Sequence, residues 1–525
     1  KDGEKENIWF SENKINHVFK NVFIRESIYE LILKKDLRHF HMLAAKSIEN
    51  IYKSGIENYY ADLAYNYDKA EIFKNAIYYL EKAGDHEKNL YHNLVAIEYY
   101  ERLISIINSQ KDKNDKLKFK IILNKIELLL LIGDTEPAKV ELEKLNPESI
   151  KEIEQRDRYF YLSARRFVVM ENFVELRKYI QQIIKELKTN YYKYFIEIYL
   201  LEALRYLNKA EEFENRAYKL LDVLKSKNEL FFEGRLSNTM GIFYLNKANY
   251  DKAKKYFLRN YEIVKKENKK TLIYAALHNI GIVYSRLGDR KKAMEFYQKA
   301  LKIAEEIGSK YSASKLLSDI AIIHASEGNV EKAIYHYEKG LDLARTIGNK
   351  TQEGLILYNL GDAYYRLEKF TQALDYLYRS KNMCEKIQDL VGITFANDII
   401  GDILFSMNKL KKAKEIYINN LKLQKELNDI EGIAHTYGNL GNCAKAAKDF
   451  DEAEKFYDNQ QKILAKVGDK EGEGKAFFNW AILEKERKNM DAALHKLEKA
   501  LALFESCSFQ IGIDLAKEQL ELLKK

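Results

Sequence analysis

Proline is almost absent from this chain, which has only Pro137 and Pro147 among its 525 residues. Average usage, at about 5%, would give roughly 26 prolines. Glycine is also scarce, with 23 residues. Because glycine and proline mark the turns of all-β sandwiches and the linkers of multidomain chains, this composition argues against both classes. The sequence instead favours long helices joined by short turns.

Cysteine is rare as well, and the three cysteines, Cys384, Cys443 and Cys507, lie far apart. Neither a disulfide framework nor a zinc site is expected from them, and a reducing compartment fits this usage. A membrane-spanning helix needs about 20 consecutive apolar residues, and every apolar run in this sequence is far shorter. Because no secretory signal is visible either, we expect a cytoplasmic protein without a membrane role.

The charge is nearly balanced, with 87 basic and 79 acidic residues and a formal net charge of +8. Charges of both signs are interspersed, and no basic stripe of the kind that binds nucleic acid is visible. Nucleic acid is therefore not an expected partner. The 38 tyrosines and 25 phenylalanines exclude disorder as the dominant state and suggest aromatic packing between amphipathic helices.

An alanine recurs every forty residues through the second half of the chain. A small residue stands twelve positions before each alanine, and a large apolar residue stands four positions after it. A small residue facing an alanine lets two antiparallel helices approach closely, so each unit is predicted to be a helix pair with short turns. The alanines are Ala253, Ala293, Ala333, Ala373, Ala413, Ala453 and Ala493. The glycines among the small residues are Gly241, Gly281, Gly361, Gly401 and Gly441.

This spacing, together with Asn279-Ile280-Gly281 and Asn359-Leu360-Gly361, resembles the tetratricopeptide repeat in its longer, forty-residue variety, as in Pins-type polarity scaffolds. The resemblance implies an all-α fold, with helix-turn-helix repeats stacked in a right-handed superhelical solenoid whose first helices line the concave side. We expect degenerate repeats over 55–230, seven regular repeats over 231–505 and a capping helix over 506–525.

The N-terminal part carries a second resemblance. Apolar residues from Phe19 to Leu33 are spaced as on one helix face, and the string Val18-Phe19-Lys20-Asn21-Val22-Phe23 is similar to the segment that follows the ATPase module in large bacterial signalling ATPases or class III adenylate cyclases. Residues 1–54 are therefore predicted to form a helical segment that joins a missing upstream module. A generic three-helix cap is the alternative. Because the chain begins at Lys1 rather than at methionine, we expect it to be part of a longer protein.

The resemblance also implies a binding surface on the first helices. Family members bind peptides through asparagines at one register, which here holds Asn279, Asn359, Asn439 and Asn479. Further polar residues follow at helical spacings of three or four, namely Asp362, Asp398, Asp402, Asn442 and Lys445. Some members clamp a C-terminal carboxylate with lysine or asparagine where this chain has Asp362 and Asp402. A basic or amine-bearing segment therefore fits better here than a carboxylate, and a merely solvated wall is the alternative.

No motif for catalysis is found. Gly472-Glu473-Gly474-Lys475 lacks the hydroxyl residue of a phosphate-binding loop, and Leu90 replaces the second histidine that a zinc-protease motif starting at His86-Glu87 would need. We expect a chain that is not itself an enzyme and binds no cofactor or metal. The favoured function is a protein- or peptide-binding scaffold or sensor region of a larger signalling ATPase or nucleotidyl cyclase, whose ligand could be the missing N-terminal half. A free-standing adaptor is the alternative.

Overall fold

The computed structural model describes residues 9–11, 17–19, 29–90, 92–110 and 115–524. The chain divides into two compact units, Lys1–Phe243 and Tyr244–Lys525. We call them the upstream unit and the downstream unit.

The upstream unit combines one short hairpin with helices of unequal length. Its strands β1 (Trp9–Ser11) and β2 (His17–Phe19) pair antiparallel, with Trp9 opposite Phe19. Two 3-10 turns cover Ile56–Tyr59 and Pro147–Ser149. The helices are α1 (Lys34–Ile51), α2 (Tyr60–Lys69), α3 (Phe73–Asn89), α4 (Asn93–Ser109), α5 (Asp115–Leu131), α6 (Thr135–Glu143), α7 (Ile153–Val169), α8 (Phe173–Ile183), α9 (Asn190–Tyr206) and α10 (Ala210–Ser226). Helix α11 (Leu230–Asn246) crosses the boundary between the units.

The prediction of a wholly helical segment over 1–54 is wrong at two places. Residues 9–11 and 17–19 exchange backbone hydrogen bonds as strands, so Phe19 does not belong to the predicted apolar helix face. Residues 20–28 lie outside the described residues. Residues 29–31 are helical, and helix α1 begins at Lys34.

The downstream unit is built from helices of almost constant length. Each has 17 residues, except α22 with 18 and α25 with 15. They are α12 (Tyr250–Lys266), α13 (Lys270–Arg286), α14 (Arg290–Glu306), α15 (Lys310–Ser326), α16 (Val330–Thr346), α17 (Lys350–Arg366), α18 (Phe370–Lys386), α19 (Leu390–Ser406), α20 (Leu410–Glu426), α21 (Ile430–Ala446), α22 (Phe450–Val467), α23 (Lys470–Glu486), α24 (Met490–Ser506) and α25 (Gln510–Lys524). The predicted all-α class and its stacked helix-turn-helix repeats are confirmed.

Small residues bring the helices of each pair together, as the spacing predicts. We call the helix with the small residue the first helix of a repeat and the helix with the alanine the second. The seven repeated alanines are all fully buried, with 0% of their surface exposed. A Cβ atom added to Gly281 or Gly441 would lie 2.5 Å from the ring of Tyr297 or Tyr457, respectively. Only glycine therefore leaves room for these rings between the paired helices.

The turns repeat every 20 residues rather than every 40. From Asn208 to Ser508, one residue in each turn has a φ angle between +52° and +79°. The two amides at the turn bond back into the helix, as Asn408 N–H does to the Phe405 carbonyl and Lys409 N–H to the Leu404 carbonyl, both at 2.8 Å. This pair of bonds is a Schellman motif, which ends each helix at the same point.

Lys448 occupies one of these left-handed positions, with a φ of +63°. A left-handed backbone costs an L-residue about 1–2 kcal/mol but costs glycine little, so Lys448→Gly is expected to raise the free energy of unfolding by about 0.5–1 kcal/mol. Lys455→Gly, at an exposed position inside α22, is the matched control and should lower it by about 1 kcal/mol. Urea denaturation measures both changes, and a loss of stability in both variants would contradict the turn assignment.

Candidate functional site

The first helices of the downstream unit lie side by side. From α15 onward, each first helix contacts the first helix of the next repeat, through α17, α19, α21 and α23 to α25. Among the described residues, the second helices make no comparable contacts with one another. Because the first helices are closer together than the second helices, they line the inner side of this unit.

Three of these first helices, α15, α17 and α19, carry five exposed large apolar side chains. Leu355 and Phe395 share one register, forty residues apart, and Tyr311 and Val391 share another, eighty residues apart. Val391 precedes Phe395 by one helical turn. Their exposed fractions lie between 45% and 54%. We call them the apolar strip, which consists of Tyr311, Ile322, Leu355, Val391 and Phe395.

Two carboxylates next to the strip have no basic partner among the described residues. Asp398 accepts a hydrogen bond from Asn420 Nδ2 at 2.7 Å. Asp402 accepts one from the Tyr417 hydroxyl at 2.5 Å and one from Asn439 Nδ2 at 3.3 Å. No lysine or arginine in the described ranges forms an ion pair with either of these carboxylates. The hydrogen-bond donors to both carboxylates are therefore neutral groups.

Burial changes the acidity of both groups. Burial raises the pKa of Asp398 to about 6; the charge of Asp402 adds to the rise and His435 opposes it. Burial likewise raises the pKa of Asp402, against the hydrogen bond from Tyr417 and the effect of His435. His435 stands at the register of Leu355 and Phe395 on the next first helix. A ligand cation placed beside these carboxylates would favour their charged form.

A third carboxylate, Asp362, completes this cluster and is already paired. Arg366 Nε donates to it at 2.8 Å. Burial raises the pKa of the nearby Tyr358, and the charges of Asp362 and Asp398 add to the rise. Its ring centroid is 6.2 Å from that of Phe395. Helices α17 and α19 thus place an aromatic pair beside the acidic groups.

In the upstream unit, the partly buried carboxylate of Glu127 has basic partners. Glu127 is paired with Lys88 at 3.0 Å and with Arg158 at 2.7 Å, and Arg165 lies 4.0 Å away. Burial raises the pKa of Glu127, but Arg158 and Lys88 outweigh it, so that pKa lies below its ordinary value. This carboxylate is neutralised within the chain, whereas Asp398 and Asp402 are not.

The predicted site residues divide into two groups. The structure brings together Asp362, Asp398, Asp402 and Asn439 across α17, α19 and α21. Asn442 accepts a hydrogen bond from the Tyr457 hydroxyl at 2.7 Å, as Asp402 does from Tyr417, and so joins the two helices of its repeat. The remaining predicted residues are half-buried on their first helices, Asn279 on α13, Asn359 on α17, Lys445 on α21 and Asn479 on α23. Their role in binding stays a prediction.

Sequence reasoning missed the apolar strip and the tyrosine contacts. Comparing the same register in every repeat could have found the strip, because the register that holds Leu355 and Phe395 holds Lys315 and Lys475 elsewhere. It also missed that Tyr100 donates to Asp85 at 2.6 Å in the upstream unit, at the same fifteen-residue separation as Tyr417 and Asp402. The signal was Gly84, twelve residues before Ala96.

The described residues contain no group of three or more histidine, cysteine, aspartate or glutamate side chains arranged to hold a metal ion. None of the helices in the described part of the chain has the length and hydropathy that crossing a membrane requires.

The family model described as tetratricopeptide repeat matches residues 233–306, 312–386 and 432–506. A comparison with curated proteins gives no match. Solved structures similar to this chain include the apo form of the quorum sensor NprR from B. thuringiensis, at 16% identity and a TM-score of 0.49, covering 74% of this chain and 100% of that one.

Another similar structure is a signal transduction ATPase with numerous domains and a tetratricopeptide repeat sensor from Pyrococcus horikoshii. It has 16% identity and a TM-score of 0.48, covering 87% of this chain and 67% of that one. A Rap protein complexed with competence and sporulation factor has 14% identity and a TM-score of 0.43, covering 78% and 98%.

Proposed function

We propose, on the premise that residues 233–306, 312–386 and 432–506 are tetratricopeptide repeats, that the downstream unit binds an extended segment of a protein partner along its first helices. Repeat arrays of this kind use extended inner surfaces for binding. The segment would lie on the apolar strip and place a lysine or arginine beside Asp398 and Asp402. This chain then acts by binding rather than by catalysis.

The observation that supports this proposal is the apolar strip itself. Phe395, with 54% of its surface exposed, loses more contact with water on binding than any buried core residue could. Contiguous exposed apolar groups rimmed by polar ones are typical of interaction sites. The neighbouring carboxylates add charge selectivity, because a cation that pairs with them offsets their desolvation.

We further propose that the array is the sensor or scaffold region of a larger signalling protein, of the signalling ATPase or nucleotidyl cyclase type, in the cytoplasm. For binding to act as a signal, the segment must have different affinities for two states of that protein. The segment could come from another protein or from an upstream part of the same protein. In both cases its apolar side chains would contact the apolar strip and its lysine would pair with Asp398 and Asp402.

Selection of peptides from a displayed random library against the full chain tests the binding proposal. The selected peptides should carry a large apolar residue close to a lysine or arginine. Phe395→Ala should weaken their binding about tenfold or more, as measured by fluorescence anisotropy. Replacing the peptide's basic residue by glutamine should cost less affinity in Asp402→Asn than in the unmodified chain, because the two changes remove the same pair.

Tyr335→Ala is the matched control, because Tyr335 is 53% exposed but lies on the second helix α16. It should leave the affinity unchanged. Selected peptides that are acidic, or whose affinity falls equally with Tyr335→Ala and Phe395→Ala, would reject the strip as the binding site.

A further inference from the structure

The upstream unit contains a cavity where its helix pattern is interrupted. Helix α6 has only 9 residues, whereas its partner α5 has 17. After α6 the chain turns sharply, because Asn146 Oδ1 accepts the Glu148 N–H at 3.0 Å and the Ser149 hydroxyl donates to the Asn146 carbonyl at 2.6 Å. The shortened helix leaves the space beside α4 and α5 unfilled.

This cavity has a volume of about 650 Å³. At roughly 30 Å³ per water molecule, that is space for about twenty waters. This volume falls in the range of small-molecule sites, about 300–1,000 Å³. Its apolar wall consists of Ile104, Phe119, Ile122 and Leu145.

The charged groups on one side of the cavity neutralise one another. Lys125 Nζ lies 2.7 Å from Glu101 and 3.4 Å from Glu141, and Lys144 Nζ lies 3.0 Å from Glu141. Burial raises the pKa of Glu141, but Lys144 and Lys125 outweigh it and keep that pKa below its ordinary value. This side of the cavity therefore has no charge left for a ligand.

Two further charged residues of opposite sign line the cavity and have no ion-pair partner among the described residues. Asp115 and Lys118 both line the cavity from α5, and Lys118 is half-buried. Neither forms an ion pair with any described residue. Three residues apart on a helix, they lie on one face with Cβ atoms about 5–6 Å apart. The two termini of a dipeptide are separated by a similar distance, at about 3.3–3.6 Å per residue.

We propose that this cavity binds a short apolar peptide with free termini, its α-carboxylate against Lys118, its α-ammonium against Asp115 and its side chains on the wall of Phe119, Ile122 and Leu145. The site lies in the upstream unit and is independent of the binding proposed for the apolar strip. A ligand of this class would fill the space that the short helix α6 leaves and pair with both Asp115 and Lys118.

Isothermal titration calorimetry of the full chain with the dipeptide Leu-Phe tests this site. Binding should be saturable, and amidation of the dipeptide's C-terminus or Lys118→Met should each weaken it about tenfold. The two changes together should weaken it little more than either alone, because they remove the same ion pair. Acetylation of the dipeptide's N-terminus and Asp115→Asn should each weaken binding about tenfold, and the two together should weaken it little more than either alone.

Two variants distinguish this site from nonspecific binding. Ser105→Trp places a large ring in the cavity from an exposed position of α4 and should abolish the binding heat without changing the helical circular dichroism. Lys116→Met is the matched control, because Lys116 pairs with Glu152 at 2.9 Å and does not line the cavity. No saturable heat up to about 10 mM dipeptide, or equal losses in Lys116→Met and Lys118→Met, would overturn the proposal.

Discussion

Replacing Gly401 by alanine is expected to lower the free energy of unfolding by about 2–4 kcal/mol, measured by urea denaturation. The added Cβ would lie 2.6 Å from Cζ and 2.9 Å from Cδ1 of the Tyr417 ring. The ring cannot move aside freely, because its hydroxyl donates to Asp402 and the residue is almost fully buried. Overpacking and the loss of this hydrogen bond therefore add together.

Gly354→Ala provides the control for the helix itself. Gly354 also lies within a first helix, but a Cβ there would be 3.5 Å from Met383 Cγ, an ordinary contact. This variant should be neutral or more stable by up to about 1 kcal/mol, because alanine is the better helix former. Amide hydrogen exchange should localise the damage of Gly401→Ala to α19 and α20. Equal effects of the two variants would contradict the close contact between Gly401 and Tyr417.

Asp398→Asn is expected to stabilise the chain at pH 8 by about 1–3 kcal/mol and to have no such effect at pH 4. The pKa of Asp398 is raised from its ordinary 3.8 to about 6, so folding favours the protonated form. The stability that this group contributes is complete below about pH 4 and is lost as the pH rises through 6. An uncharged amide escapes that loss and can still accept the hydrogen bond from Asn420 Nδ2.

Thermal or urea denaturation of both chains between pH 4 and pH 8 checks this prediction. The groups that influence Asp398 electrostatically are His435 on α21, Asp402 on α19 and Asp429 before α21, so their titration must be included in the fit. Asp342→Asn on the exposed side of α16 is the control and should change the stability by less than about 0.5 kcal/mol at either pH. Destabilisation by Asp398→Asn at pH 8 would show that the carboxylate is paired in solution.

The helix pairs of the downstream unit could be predicted because their contacts leave a direct trace in the sequence. Where Gly441 meets Tyr457 there is no room for a Cβ, so the residue types are constrained at a fixed spacing. The hairpin of β1 and β2 could not be predicted, because a three-residue strand is too short to establish a period of two. The apolar residues that follow Phe19 in the sequence are of the same types as those on a helix face, so composition alone does not show that Phe19 belongs to a strand.

The 20-residue step of the turns could be predicted only in part, from glycines such as Gly308 and Gly348. Their left-handed positions hold glycine in only some cases, such as Gly288, and elsewhere hold Glu368, Gln388 or Lys448. Local preference predicts glycine or asparagine at a positive φ. The paired helices fix the turn geometry strongly enough to override that preference, so at these positions the turn is visible in the backbone but not in the residue type.

The candidate site could be predicted only in part. Helical spacing placed Asp398 and Asp402 on one face, and the structure agrees. Phe395 was missed, because an exposed phenylalanine cannot be told from a core phenylalanine until its neighbours are known. The hydrogen bond that Asn442 accepts from Tyr457, fifteen residues later, could not be predicted. Contacts between the two helices of a repeat do not follow the spacings of a single helix.

The constant step from Asn208 to Ser508 has a consequence for how such a chain can change over generations. Loss or duplication of any two consecutive steps would join turns of the same backbone conformation and leave each small residue opposite its large apolar partner. Unequal recombination between neighbouring repeats of the gene could therefore lengthen or shorten the array without creating a new junction to be accommodated. The reach of the array along its partner would then change in whole increments, while the chemistry of each remaining repeat is retained.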